Sequence, residues 1–192
     1  MTTLYLKNAT TIAKCMFCRR SDFKFRDCCS LGNYELGIRE AVLGIKSGVQ
    51  ECLITDLAKL MVHSFSRQNF DIVIPIPIHW RRRLGRRVVV PDLLSERIAR
   101  LCDKPNYRKA LRYQRLTSKQ GTLSTTERVK NVHGAIQVAR PDLIRNKHVL
   151  IVDDVMTSGA TLNEAASVCL RSGAREISVA VVARGVGRST SR

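Results

Sequence analysis

"HVLIVDDVMTSGATLNEAA", residues 148–166, is the stretch on which the reading of this chain turns. Val149 to Val152 form a continuous apolar run, the pattern of a strand buried on both faces of a parallel sheet. The run goes straight into two adjacent carboxylates, Asp153 and Asp154. Small residues follow, Thr157, Ser158, Gly159, Ala160 and Thr161, and then a helical pattern begins. In an open α/β sheet, ligands sit at the carboxyl ends of strands, where loops and helix N-termini converge. The loop's backbone N–H groups and the helix dipole suit a phosphate. Gly159 lets the backbone approach closely, and three hydroxyls add donors. The two carboxylates repel a phosphate but suit two vicinal hydroxyls, or magnesium held through water. A ribose 5-phosphate satisfies both halves. The plainer alternative makes Asp154 a helix cap and Asp153 a solvated strand end.

Outward from this stretch, strands alternate with helices. "DIVIPIPI" at 71–78 reads as a buried strand ended by its prolines, and "AIQV" and "EISVAVVA" as two more. Helices are expected from Tyr34 to a stop at Gly48, from about Glu51 to Phe65, and from Pro91 to about Leu101. Ser124 with Glu127 matches a capping box that opens a short helix. "GATLNEAASVCLRSG" makes a helix closed by Gly173. This alternation predicts an α/β fold, a mainly parallel sheet flanked by helices. Residues 103–123 are polar and basic without periodicity, so a long loop is expected there, with room for a short strand near Ala110–Arg112. No internal repeat is visible, and the tail after Arg184 reads as frayed.

The 192 residues suffice for one well-buried domain and a small appendage. No apolar run approaches the roughly 20 residues that span a bilayer, and the first residues do not resemble a secretory signal. A cytoplasmic protein without a membrane span is expected. Thirty-three Lys and Arg against 16 Asp and Glu give a formal charge of +17, which draws polyanions. Arg81, Arg82, Arg83, Arg86 and Arg87 crowd one short window. An aromatic content of 5% gives little support for a base-stacking platform.

Of seven cysteines, Cys52, Cys102 and Cys169 are scattered and are expected as small buried apolar residues. The other four lie together in a segment with few apolar residues to bury. Cys15-x2-Cys18, then Cys28 and Cys29, is a zinc-finger-like arrangement, and zinc would fold such a segment. The second pair is adjacent, however, and neighbouring residues of an extended chain point opposite ways. Four-cysteine zinc, three cysteines with another ligand, and no metal all remain open. Two units are expected: a cysteine-rich segment over 1–32 and the α/β domain over 33–192.

"VLIVDDVMTSGAT" resembles the phosphoribosyl pyrophosphate (PRPP) signature of type I phosphoribosyltransferases. The cysteine cluster with "YELGIREAVLGIKSG", then "IPIPIHWRRRLGRR", then "QGTLSTTERVKNVHGAIQV", resemble in that order the ComF subfamily, associated with DNA uptake in competent bacteria. The resemblance runs from about Cys15 to Arg184. It implies a type I phosphoribosyltransferase-like fold, and that Asp153 and Asp154 hold the ribose hydroxyls while residues 157–161 wrap the 5-phosphate. The loop after "DIVIPIP" would meet the pyrophosphate, with Arg86, and Arg82 or Arg83, as its cations; arginine pairs such an anion bidentately. Asp153, Asp154 and Arg86 are then the catalytic candidates. A lid is expected around 108–123, with Arg115 and Gln120 as contacts and Arg128 and Asn131 on the next helix. Lys46 matches a lysine of the family pattern and is expected to be solvated.

One departure bears on turnover. Where the subfamily has an "RGFNQ"-like run, this chain reads "RRVVVPD". Arg87 stands in place of a glycine, and Val89 and Val90 in place of two amides. Three functions follow as expectations. The first is a phosphoribosyltransferase using PRPP and magnesium, its acceptor unknown. The second is a protein that keeps the PRPP pocket but binds single-stranded DNA. The third is a zinc-stabilised adaptor within DNA-uptake machinery.

Overall fold

The computed structural model describes residues 22–46, 52–65, 69–78, 88–117 and 124–185. Four strands form its central sheet: β1 (Asp27–Asn33), β2 (Ile72–Pro75), β5 (His148–Met156) and β6 (Glu176–Arg184). They run parallel in the order β1-β6-β5-β2. A separate antiparallel ribbon joins β3 (Leu111–Tyr113) to β4 (Ile136–Val138). The expected α/β class, a mainly parallel sheet with helices on both faces, is the architecture observed.

The apolar run of β5 explains the two layers. Val149 and Ile151 face one side, where they meet Leu162, Ala165, Ala166 and Cys169 of α6 (Ala160–Arg171). Leu150 and Val152 face the other, against α1 (Leu36–Lys46), α2 (Cys52–Ser64) and α3 (Val90–Leu101). All four residues are fully buried, and each such side chain contributes about 1.5–3 kcal/mol relative to exposure. Among the described residues, the remaining helices are α4 (Thr125–Val132) and the single turn α5 (Pro141–Ile144). Ser124 and Glu127 close the capping box reciprocally, at 3.3 and 2.8 Å.

Proline in β2 is tolerated for a geometric reason. Val73 turns its N–H and C=O away from β5, to Pro105 and Tyr107, at 2.9 and 3.0 Å. Pro75, two residues on, faces the same way. Its missing N–H therefore leaves the β2–β5 ladder intact, and Ile76 still donates to Val152 at 2.8 Å.

Two sequence expectations are corrected here. The boundary drawn between 1–32 and 33–192 falls inside β1, whose residues pair in register with β6 from Asp27↔Ser178 to Asn33↔Arg184. Residues 27–32 thus belong to the sheet. Cys52 is exposed at the start of α2 and Cys102 is half-buried, so only Cys169 of the scattered three is a buried apolar residue.

Candidate functional site

Strand β5 delivers Asp153 and Asp154 to the carboxyl edge of the sheet, and the chain turns through 157–159 into α6. Asp153, Val155, Met156 and Thr157–Leu162 line one cavity there. The turn depends on Gly159, whose φ of +76° lies in the left-handed region. A Cβ at this position would meet Met156 Cε at 2.6 Å and the Phe23 ring at 2.8 and 2.9 Å. Gly159 is also the N-cap of α6 and offers no side-chain cap. Ala160 N–H reaches Ser158 Oγ at 3.4 Å, a long contact that leaves the helix end suited to an anion.

The aspartates share their charge with the backbone. Asp154 N–H donates to Asp153 Oδ1 at 2.8 Å, and Val155 N–H to Asp154 Oδ1 at 2.7 Å. Burial and the neighbouring Asp154 carboxylate hold the Asp153 carboxyl well above the usual carboxylate range. Asp154 has a direct counterion, because Lys46 Nζ lies 2.6 Å from its Oδ2. Lys46 is therefore an ion-pair partner of the site, where sequence reading left it solvated. With 36% of the Lys46 side chain and 16% of the Asp154 side chain exposed, screening keeps the pair's contribution modest.

Two arginines expected in a lid occupy different places. Arg128, on α4, donates to Thr157 Oγ1 at 3.1 Å and so touches the loop. Arg115 does not: its Nη2 donates to the carbonyls of Asn131 and His133, at 3.1 and 2.7 Å, closing the C-terminus of α4. Orphan carbonyls at a helix end attract a cation, which accounts for the correction. Asn131 enters this arrangement through its carbonyl. Glu164, buried on α6, accepts from Gly134 N–H at 2.9 Å and fixes the same turn against α6. Sequence reading gave Glu164 no role, since one glutamate on a helix has no pattern to distinguish it.

Arg82, Arg83, Arg86 and Gln120 lie outside the described residues, as do Cys15 and Cys18. The end of β2 itself lies beside β5, where Pro75 pairs with Val152, one residue before Asp153. Cys28 and Cys29 occupy successive positions of β1. Cys28 packs on the α6 side, its thiol 3.6 Å from Met156 Sδ, and Cys29 packs on the opposite face. One tetrahedral ion cannot take both sulfurs while β1 stays in the sheet, and Cys15 and Cys18 of the expected set lie outside the described residues. Burial, with the Asp27 carboxylate, also pushes the Cys29 thiol up to about 11. Among the described residues, no group of three or more His, Cys, Asp or Glu is placed to hold a metal.

No helix of the described residues is long and apolar enough to cross a membrane. Competence protein F of Haemophilus influenzae is 33% identical over 115 residues, 59% of this chain and 50% of that protein. DNA utilization protein YhgH of Shigella flexneri is 33% identical over 109 residues, 57% of this chain and 47% of that protein. The chain thus spans about half the length of the curated relatives it matches. Among solved structures, the purine phosphoribosyltransferase from Pyrococcus horikoshii aligns with a TM-score of 0.36 and 17% identity, over 81% of this chain and 87% of that one. The family model of the phosphoribosyl transferase domain matches residues 93–190, from α3 through β6 and including the whole acidic strand end with its glycine turn. This chain belongs to the phosphoribosyl transferase domain family.

Proposed function

We propose that this protein binds PRPP with magnesium and transfers its ribose 5-phosphate to a nucleophilic acceptor, releasing pyrophosphate. The observation that carries the reading is one cavity lined both by Asp153 and by the left-handed Gly159 turn at the N-terminus of α6. Residues 157–161 take the 5-phosphate through backbone N–H groups and hydroxyls, with the helix dipole behind them. Asp153 and Asp154 take the ribose hydroxyls.

The carboxylate oxygens are hard donors that suit magnesium, which would supply charge neutralisation for the departing pyrophosphate. In the transfer, the anomeric C–O bond breaks and its electron pair leaves with pyrophosphate. The acceptor's lone pair forms the new bond to that carbon, and the acceptor loses its proton. Positioning and fixed charge supply most of the catalysis in such a step. Arg86, with Arg82 or Arg83, would meet the pyrophosphate, on the segment that follows β2. The names of the relatives, a competence protein and a DNA utilization protein, together with the +17 charge, favour a second reading in which the protein handles DNA, for which we take single-stranded DNA as the partner.

Calorimetric titration with PRPP and magnesium tests the reading. Binding by the wild type that is abolished in Asp153→Asn/Asp154→Asn supports it; equal binding by both, or none by the wild type, overturns it. Pyrophosphate release on adding candidate bases or nucleic acid separates an enzyme from a binding protein. A salt-dependent gel shift of single-stranded DNA, with and without PRPP, tests the DNA connection.

A further inference from the structure

We infer that the segment Asp22–Arg26 is a strap that fixes the phosphate-binding turn, with Phe23 as its positioning residue; this rests on the PRPP reading of the same turn. Three contacts converge. The Phe23 ring lies against Gly159 so closely that a Cβ there would sit 2.8 and 2.9 Å from ring carbons. Phe23 stacks on Phe25 at 4.7 Å between centroids with 17° between planes, and Phe25 is buried in the core beneath. Lys24 N–H donates to Asn163 Oδ1 at 2.7 Å, on the first turn of α6. The strap is itself anchored, since Arg26 N–H donates to Ile177 O at 2.8 Å and the Arg26 guanidinium reaches Glu176 at 2.8 Å.

The physical need for such a strap is specific. Glycine is chosen at 159 because its φ of +76° is easily reached, but the same freedom gives the residue many other conformations. A turn that must present N–H groups to an anion loses affinity in proportion to the time spent elsewhere. An aromatic ring pressed on the glycine's Cα side removes those alternatives without adding a side chain to the cavity. Asn163 fixes the helix end that follows, so turn and helix N-terminus hold one relative position. Phe23 is not among the residues that line the cavity; it acts through Gly159.

The test compares wild type, Phe23→Ala, Phe23→Leu and Asn163→Ala by calorimetric titration with PRPP and magnesium. Amide hydrogen exchange of residues 158–162 is measured without ligand alongside. Phe23→Ala is expected to weaken PRPP binding about tenfold, the effect of a turn competent about a tenth of the time. Phe23→Leu should recover most of the loss, and Asn163→Ala should weaken binding severalfold. Exchange at 158–162 should quicken in Phe23→Ala while amides of β5 and β6 keep their protection. Unchanged affinity together with unchanged exchange in Phe23→Ala overturns the inference. Should Phe23→Ala fail to fold, Asn163→Ala decides, because it removes one polar tie and leaves the core untouched. Absence of PRPP binding in the wild type defeats the functional reading instead, and the exchange measurement then judges the strap alone.

Discussion

Gly159→Ala places a single methyl group at the tightest point of the turn. The backbone conformation at φ +76° costs a residue with a Cβ about 1–2 kcal/mol. The new methyl also meets three atoms inside 3 Å. Met156 Cε, at 2.6 Å, is the far end of a flexible chain and can swing aside. The Phe23 ring, at 2.8 and 2.9 Å, is stacked on Phe25 and has less room to yield. Overpacking of that kind costs about 1–3 kcal/mol, so the native turn is disfavoured by roughly 2–5 kcal/mol in all. The chain can escape by moving the turn while the sheet stays folded, so the cost should appear as lost binding and only slightly as lost stability. At about 1.4 kcal/mol per factor of ten, affinity for PRPP should fall about 30-fold to a few thousandfold. Calorimetric titration beside thermal melting reads both quantities. The same substitution in a Phe23→Ala background should cost only roughly tenfold, because the ring no longer obstructs the methyl. Gly159→Ala binding PRPP within twofold of wild type would show that the left-handed turn does not set affinity.

Asp153→Asn should stabilise the ligand-free protein more as pH rises. The folded-state pKa of Asp153 lies above its unfolded value, so its contribution is intact below pH about 4 and is lost as pH climbs through the folded value; a melting-temperature difference between variant and wild type that stays flat from pH 4 to 8 would contradict this. Ser124→Ala should cost α4 about 1 kcal/mol through the lost cap. Faster amide exchange across 126–132 is the readout, and unchanged exchange there would show that the cap is idle. In native protein at pH 8, iodoacetamide should label exposed Cys52 well before Cys29 and Cys169, whose thiols burial pushes up to about 11 and about 12. Peptide mapping that finds Cys29 labelled as fast as Cys52 would show that burial does not hold its thiol protonated.

How much of this was legible in the sequence depended on the range of the interaction concerned. The β5–α6 unit was legible because a buried strand, a glycine turn and an amphipathic helix each carry a local pattern. The capping box of α4 was legible for the same reason, its two residues being three apart. Strand β1 was not. "DCCSLGN" holds weak strand formers, β1 is an edge strand half-exposed along its length, and the adjacent cysteines drew the reading toward metal chemistry. The Lys46–Asp154 pair joins residues more than a hundred positions apart, and nothing near Lys46 announces its partner. Arg115 illustrates the converse error. It lies in a basic stretch without periodicity, which suited a lid, yet its guanidinium is taken by backbone carbonyls that no sequence pattern displays.

A core strand that ends in two carboxylates, on a chain of charge +17, now has a physical account. Each carboxylate accepts the N–H of the next residue through one oxygen, and the second oxygen of Asp154 meets Lys46. The charges are then handled separately: Asp153 is kept toward its neutral form by burial and by Asp154, and Asp154 is neutralised by Lys46. Neither device is needed for folding, because apolar residues at the same two positions would bury without a counterion. Two acids are held at a point where the protein must restrain both, next to a turn whose glycine must be strapped in place. Both features cost stability where they stand. Local costs of this kind gather at functional sites, and the proposed ligand makes opposite demands, a diol on one side and a phosphate on the other. The ion pair and the strap act on the two halves of that ligand independently. Lys46→Ala should therefore alter the salt dependence of PRPP binding and leave amide exchange in the turn unchanged, whereas Phe23→Ala should do the reverse.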